Sequence, residues 1–165
     1  MLVLDENLSE IEVWRLREWS IAVRQVGPDV ASRSVTDDNL LPVLHRLKRP
    51  TFFTRDRDFW KAGLRHAGYC LVFLDMLEHE GEVAATIRRF LRHPAFNTHA
   101  KRMGKVVRVH YDGLHYWQMG VRSLQLASWP DLSPRHSGHP PRGSRHPQQP
   151  PGRRRCGWCR KSSPR

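Results

Sequence analysis

Three acidic clusters in this chain have the residue types for chemistry. Asp5 and Glu6 lie in LVLDENLS, Asp37 and Asp38 in VTDDNLL, and Asp56 and Asp58 in TFFTRDRDF. Each falls where a strand is expected to end or a helix to begin. The chain as a whole is basic, with a formal net charge of +12. Carboxylates held at strand ends in such a chain suit a hard divalent cation, Mg²⁺ or Mn²⁺. A cation beside a basic surface points in turn to a nucleic-acid phosphate. Phosphodiester hydrolysis needs an activated water and a counter-charge for the transferring phosphorus, and one or two metal ions supply both. The plainer role for the same residues is structural. Asp5 and Asp37 would cap helices, as acids at helix N-termini often do, and Asp56 would make a turn.

The elements that must position these acids follow from hydrophobic patterning. Leu2-Val3-Leu4 reads as a buried strand ending at Asp5. Asn7 or Ser9 then caps a helix to about Trp19, with Glu12 closing a capping box on Ser9. Leu8, Ile11, Leu16 and Trp19 are spaced to face the core. Residues 22–26 predict a second strand, ended by Gly27-Pro28, and residues 29–36 a loop. Pro42 lacks an N–H and is tolerated in the first turn of a helix. It therefore sets the start of the next helix near Asp38, with Leu40, Leu44 and Leu47 on its apolar face. Residues 50–54 predict a strand that delivers Asp56 and Asp58 beyond its end. YCLVFL (69–74) is the plainest buried strand, residues 80–92 a helix, and KVVRVHY (105–111) the last strand. Strands alternating with helices imply an α/β fold with a mostly parallel sheet. Such sheets place sites at the carboxyl ends of their strands.

Charge and composition divide the chain. Residues 129–165 hold nine Lys/Arg and one Asp, a net +8 of the chain's +12, which leaves +4 for residues 1–128. Eight of the twelve prolines also lie in that last stretch, with few aliphatics. A segment of this kind cannot bury a core and is expected as a disordered basic tail. The expected domains are therefore a folded body over 1–128 and a tail over 129–165. No secretory leader is expected from MLVLDENL. No apolar run approaches the roughly 20 residues that span a bilayer. Cys70 reads as a buried, inert thiol, so a reducing cytoplasmic setting is expected.

The acidic elements together resemble a known family. Leu4-Asp5-Glu6-Asn7-Leu8-Ser9 looks like the opening strand and helix of PIN-like proteins, and more narrowly of the DUF5615-type, VapC-like toxin group. Asp37-Asp38-x-Leu-Leu is similar to that family's acidic helix start. Thr54-Arg55-Asp56-Arg57-Asp58-Phe59 matches its T-x-D-x-D-F signature, and YCLVFLDM resembles the strand that follows. The resemblance covers roughly residues 1–112, and it implies a three-layer PIN-like fold and Mg²⁺- or Mn²⁺-dependent ribonuclease activity. In the family's terms Asp5 is the first metal ligand, Asp37 or Asp38 the second and Asp56 the third. Asp58 would help through water, and Glu6 is a weaker candidate. Thr54 would orient a carboxylate or a water, while Arg55 and Arg57 would contact RNA phosphates. The implied partners are RNA and a cognate antitoxin. Residues 96–128 follow no motif of that family.

Two further clusters have other readings. Cys156 and Cys159, with His136, His139 and His146 nearby, supply part of a zinc ligand set at a spacing that matches no finger pattern. His110, Tyr111, His115, Tyr116 and Trp117 interleave aromatic and basic groups. Such groups stack on unpaired bases, although core or interface packing is the commoner use. Apolar side chains around Trp14, Trp19 or Trp117 leave a homodimer open. The leading expectation is a metal-dependent endoribonuclease, the toxin of a toxin–antitoxin pair. The alternative is a non-catalytic PIN-like module that binds RNA or protein. A third reading makes the basic tail a non-specific nucleic-acid tether.

Overall fold

A computed structural model describes residues 1–27, 29–30, 37–76 and 82–130, leaving out the side chains of 37–39. Seven strands form one sheet in the order β2-β1-β3-β4-β5-β6-β7. They are β1 (Leu2–Leu4), β2 (Val23–Gln25), β3 (Thr51–Thr54), β4 (Cys70–Leu74), β5 (Lys105–His110), β6 (Gly113–Gln118) and β7 (Gln125–Ser128). The first five are parallel, and β6 and β7 add on antiparallel. The α/β class and the mostly parallel sheet are as expected. The last two strands are not, since KVVRVHY reads as the final strand of the sequence. Asp112-Gly113 turns the chain straight back instead of ending the sheet.

Helices cover the sheet on both faces, an arrangement compatible with a three-layer α/β fold. Alternation along each strand sends successive side chains to opposite faces. Leu4, Phe53, Val72 and Val107 pack against α1 (Glu10–Glu18) and α3 (Val83–Arg92) through Val13, Leu16, Ile87 and Phe90. Val3, Phe52, Leu71 and Val106 pack against α2 (Asp37–Arg46) through Leu40 and Leu44. Burying a side chain such as Phe52 or Phe53 stabilises the fold by about 1.5–3 kcal/mol, and both are fully buried.

Several local expectations change in three dimensions. Ile11 is exposed, and Val13 takes the core place on α1. Ser9 caps α1 by its backbone position without a side-chain bond. Glu12 is buried, and its carboxylate accepts from the Ala84 N–H at 2.7 Å, so it caps α3 instead of its own helix. The helix α1 ends as Ser20 takes a left-handed φ of 59°. The helix α2 starts at Asp37, within one residue of the expected Asp38, with Pro42 inside it.

The folded body also runs past the expected boundary at residue 128. Trp129 donates its indole N–H to His110 O at 3.0 Å, and its ring lies under the Arg89 guanidinium. Residues 131–165 lie outside the described residues. So do the remainder of the expected disordered tail beyond Pro130, Cys156, Cys159 and the histidines around them. Among the described residues, no helix is long and apolar enough to cross a membrane.

Candidate functional site

Four strand ends bring the site together. The β1 run leads into Asp5, whose N–H bonds Phe53 O on β3 at 2.9 Å. Gln25, at the end of β2, donates its side-chain amide to Leu8 O at 2.9 Å and Asp5 O at 3.3 Å. It thereby holds the tight turn in which Leu8 N bonds Asp5 O. By strand alternation Asp5 shares a face with Val3, Thr54 with Phe52, Asp75 with Leu71, and Arg108 with Val106. That is the α2 side of the sheet. The helix α2 connects β2 to β3, two strands parallel to β1. Such a crossover starts its helix at the carboxyl edge of the sheet. Asp37 and Asp38 open α2, so the fold brings all three acidic segments to one edge. The side chains of Asp37 and Asp38 lie outside the described residues.

Thr54 is the hinge of the geometry. Its hydroxyl donates to Asp5 Oδ2 at 2.5 Å and accepts the Asp56 N–H at 2.9 Å. One buried oxygen thus ties the first acid to the loop that carries the third. Asp56 Oδ1 accepts the Asp58 N–H at 2.8 Å, capping a short 3₁₀ helix over Arg57–Phe59. Asp58 points outward and pairs with Lys61 at 3.0 Å. Glu6 is exposed and Asp56 half-buried, while Asp5 is only 7% exposed.

The electrostatics of Asp5 are unfavourable to its charge. Burial pushes its carboxyl above the usual range, and the charges of Glu6 and Asp56 push the same way. Hydrogen bonds from Thr54 and the Glu6 main chain offset part of this. Among the described residues Asp5 has no ion-pair partner. Its donors are hydrogen bonds alone.

Beside the acids lies a cleft of about 300 Å³, lined in part by Arg55, Arg57, Trp60, Phe73, Asp75 and Arg108. Arg57 is exposed and Arg55 half-buried. Asp75, Trp60 and Arg108 are additions to the sequence-derived set. Arg108 donates through Nε to Asp75 Oδ2 at 2.7 Å. The signal for Asp75 was available, because it directly follows the strand Cys70–Leu74 as Asp5 follows Leu2–Leu4. The aromatic segment after β5 divides between faces. Tyr116 packs in the α1/α3 core against Phe96, and Trp117 lies on the other face, 6.2 Å from Trp60 between ring centroids. Tyr111 stays exposed.

Among the described residues, no three His, Cys, Asp or Glu side chains form a ready metal cage. The expected set would have to be completed by Asp37 or Asp38. Compared with known proteins, the chain matches no family model, no curated protein and no solved structure.

Proposed function

We propose that the chain is a PIN-like ribonuclease that hydrolyses RNA phosphodiester bonds with Mg²⁺ or Mn²⁺, as the cytoplasmic toxin of a toxin–antitoxin pair. The observation that carries the reading is Asp5. It is a buried carboxylate next to Asp56 and Glu6, held by Thr54 and left without a cation among the described residues. Buried charges are normally paired or bound to a metal. The donors are all oxygen, the chemistry that hard cations select.

Asp5 and Asp56 would hold the cation together with Asp37 or Asp38. When bound, the ion supplies Lewis acidity towards the phosphodiester and offsets repulsion between acids and RNA. Thr54 keeps Asp5 and the Asp56 loop in register. By excluding water from one side of Asp5, the buried strand end raises the strength of its interaction with a cation. Arg57 and Arg55, at the mouth of the cleft, would bind the flanking phosphates, and Asp58 positions the loop through Lys61. The toxin assignment rests on the family resemblance alone, and co-purification of a small partner from the native host would test it.

The test of the nuclease is cleavage of a labelled single-stranded RNA by wild type and Asp5→Asn, with Mn²⁺ or EDTA. Metal-dependent cleavage that disappears in the variant supports the reading. A folded wild-type protein that leaves a broad RNA pool intact rejects it in favour of the binding module.

A further inference from the structure

The α2 side of the sheet is covered over β1, β3, β4 and the first half of β5, where Val106 is fully buried, and is more open beyond Arg108 and over β6 and β7. Leu40, Leu44, Phe59 and Tyr69 close it where the parallel strands lie. Across the antiparallel extension the register places Arg108 opposite His115 and His115 opposite Leu126. On that row Leu126 is 69% exposed, and Arg108 and His115 are half-buried. One rung away, Trp117 is paired with Val106 and leans towards Trp60, the rings tilted by 34°. The row meets the arginine-lined cleft at Arg108, which lines that cleft together with Trp60.

The loop that carries Trp60 is fastened to this extension. Arg65 donates through one guanidinium nitrogen to Gln118 O and Val121 O, at 3.2 and 2.7 Å, and through Nε to Ala62 O at 2.6 Å. The loop of Trp60 is thereby tied to the end of β6 that carries Trp117, and both rings pack against the same core cluster. Charge on the cleft is one-sided, with three arginines against Asp75, which Arg108 already neutralises.

The geometry points to this face as a platform for single-stranded RNA, with the half-buried Trp60 and Trp117 stacking unpaired bases on their open sides while the exposed Arg57 takes a phosphate beside them. It rests on the ribonuclease reading for its choice of ligand. The platform would deliver the strand to Asp5 and Asp56 and make cleavage depend on unpaired bases. Aromatic rings favour single strands because every exposed base offers a π-face, whereas a duplex hides its bases. The arginines of the cleft complement the phosphates that such a strand carries between its bases.

The test uses the full chain in EDTA, where binding is read without cleavage. A 4-thiouridine oligonucleotide is photo-crosslinked and the sites are mapped by mass spectrometry, while anisotropy gives affinity as a function of salt. Crosslinks should fall at Trp60 or Trp117. Trp60→Leu should weaken single-strand binding by about fivefold or more and leave duplex binding unchanged. Arg57 is exposed and safe for folding, and Arg57→Gln should reduce the steepness of the log–log salt slope by about 0.7, the value of one phosphate contact on a single strand. Crosslinks confined to residues 131–165, an unaltered salt slope in Arg57→Gln, or equal affinity for single strand and duplex would each overturn the platform. If crosslinks stay at the tryptophans but no metal-dependent cleavage occurs, the hydrolase reading fails and the platform stands. If cleavage proceeds equally on single strands and duplexes, the platform alone fails.

Discussion

At the amino ends of the strands, Arg102 and Lys105 are buried without a carboxylate partner among the described residues. At the carboxyl ends, Asp5 is buried to the same degree, beside other acids. The two ends treat their charges differently. Arg102 donates to Thr51 Oγ1 at 3.0 Å and Phe96 O at 2.8 Å, and Lys105 donates to Lys101 O. Lys105 also lies near the faces of Phe96 and Tyr116. Neutral oxygens and rings thus satisfy the cations from within the fold, and nothing from outside is needed. Cys70 between them is held as an inert thiol, pushed up to about 12 by burial although both cations pull the other way. Asp5 receives hydrogen bonds too, but its near charges are all of its own sign. The lesson is that the amino end satisfies its buried charges from within, while the carboxyl end leaves Asp5 without a counter-charge among the described residues.

That contrast can be broken from either side. The largest effect is expected from Asp5→Asn in the cleavage assay. Metal-dependent turnover should fall by about 10²-fold or more, the scale for a group acting at the reacting centre. A variant with wild-type turnover would remove the distinction between the two ends. Next comes Arg102→Ala, which strands a buried hydroxyl and a carbonyl and should cost about 1–3 kcal/mol in urea unfolding. Turnover per folded molecule should not change, because Arg102 serves the amino end alone. Glu12→Ala should cost about 1 kcal/mol by uncapping α3. It measures how much of the acid content is structural.

The smallest effect concerns pH. Asp5 has its carboxyl raised in the folded state, chiefly by burial. The folded protein therefore holds this proton more tightly than the unfolded chain. Its contribution to stability is present below the unfolded carboxyl value and is lost as pH rises through the folded one. Asp5→Asn should accordingly be more stable than wild type at neutral pH, with the gap closing in acid. Paired denaturation curves at the two pH values check this, and a gap that widens in acid would reverse the assignment of Asp5 as an uncompensated charge.

Much of the site could be read along the chain because it lies at the ends of strongly apolar runs. LVL, TFFT and CLVFL are too short and too apolar for anything but buried strands, so the acids after them had to emerge at an edge. Glu12 misled because its spacing from Ser9 imitates a capping box, and only the approach of α3 gives it the Ala84 N–H instead. Ile11 misled because helical periodicity tolerates a shift of one or two positions, and the seat of α3 on α1 chose Val13. Trp117 and Tyr116 are neighbours whose different fates depend on which face of β6 each takes. That choice depends on the register with β5, a pairing the segment's own residues do not specify.

By itself the sequence determined the α/β class, the parallel strands and the edge on which Asp5, Asp56 and the start of α2 lie. These depend on local periodicity and on chain direction, which are properties of short segments. Tertiary structure decided that Thr54 joins Asp5 to Asp56, that Arg108 neutralises Asp75, and that β6 and β7 extend the sheet into an open face with Trp60 and Trp117. Each of these is a contact between residues distant in sequence, and its partner is set by packing and register.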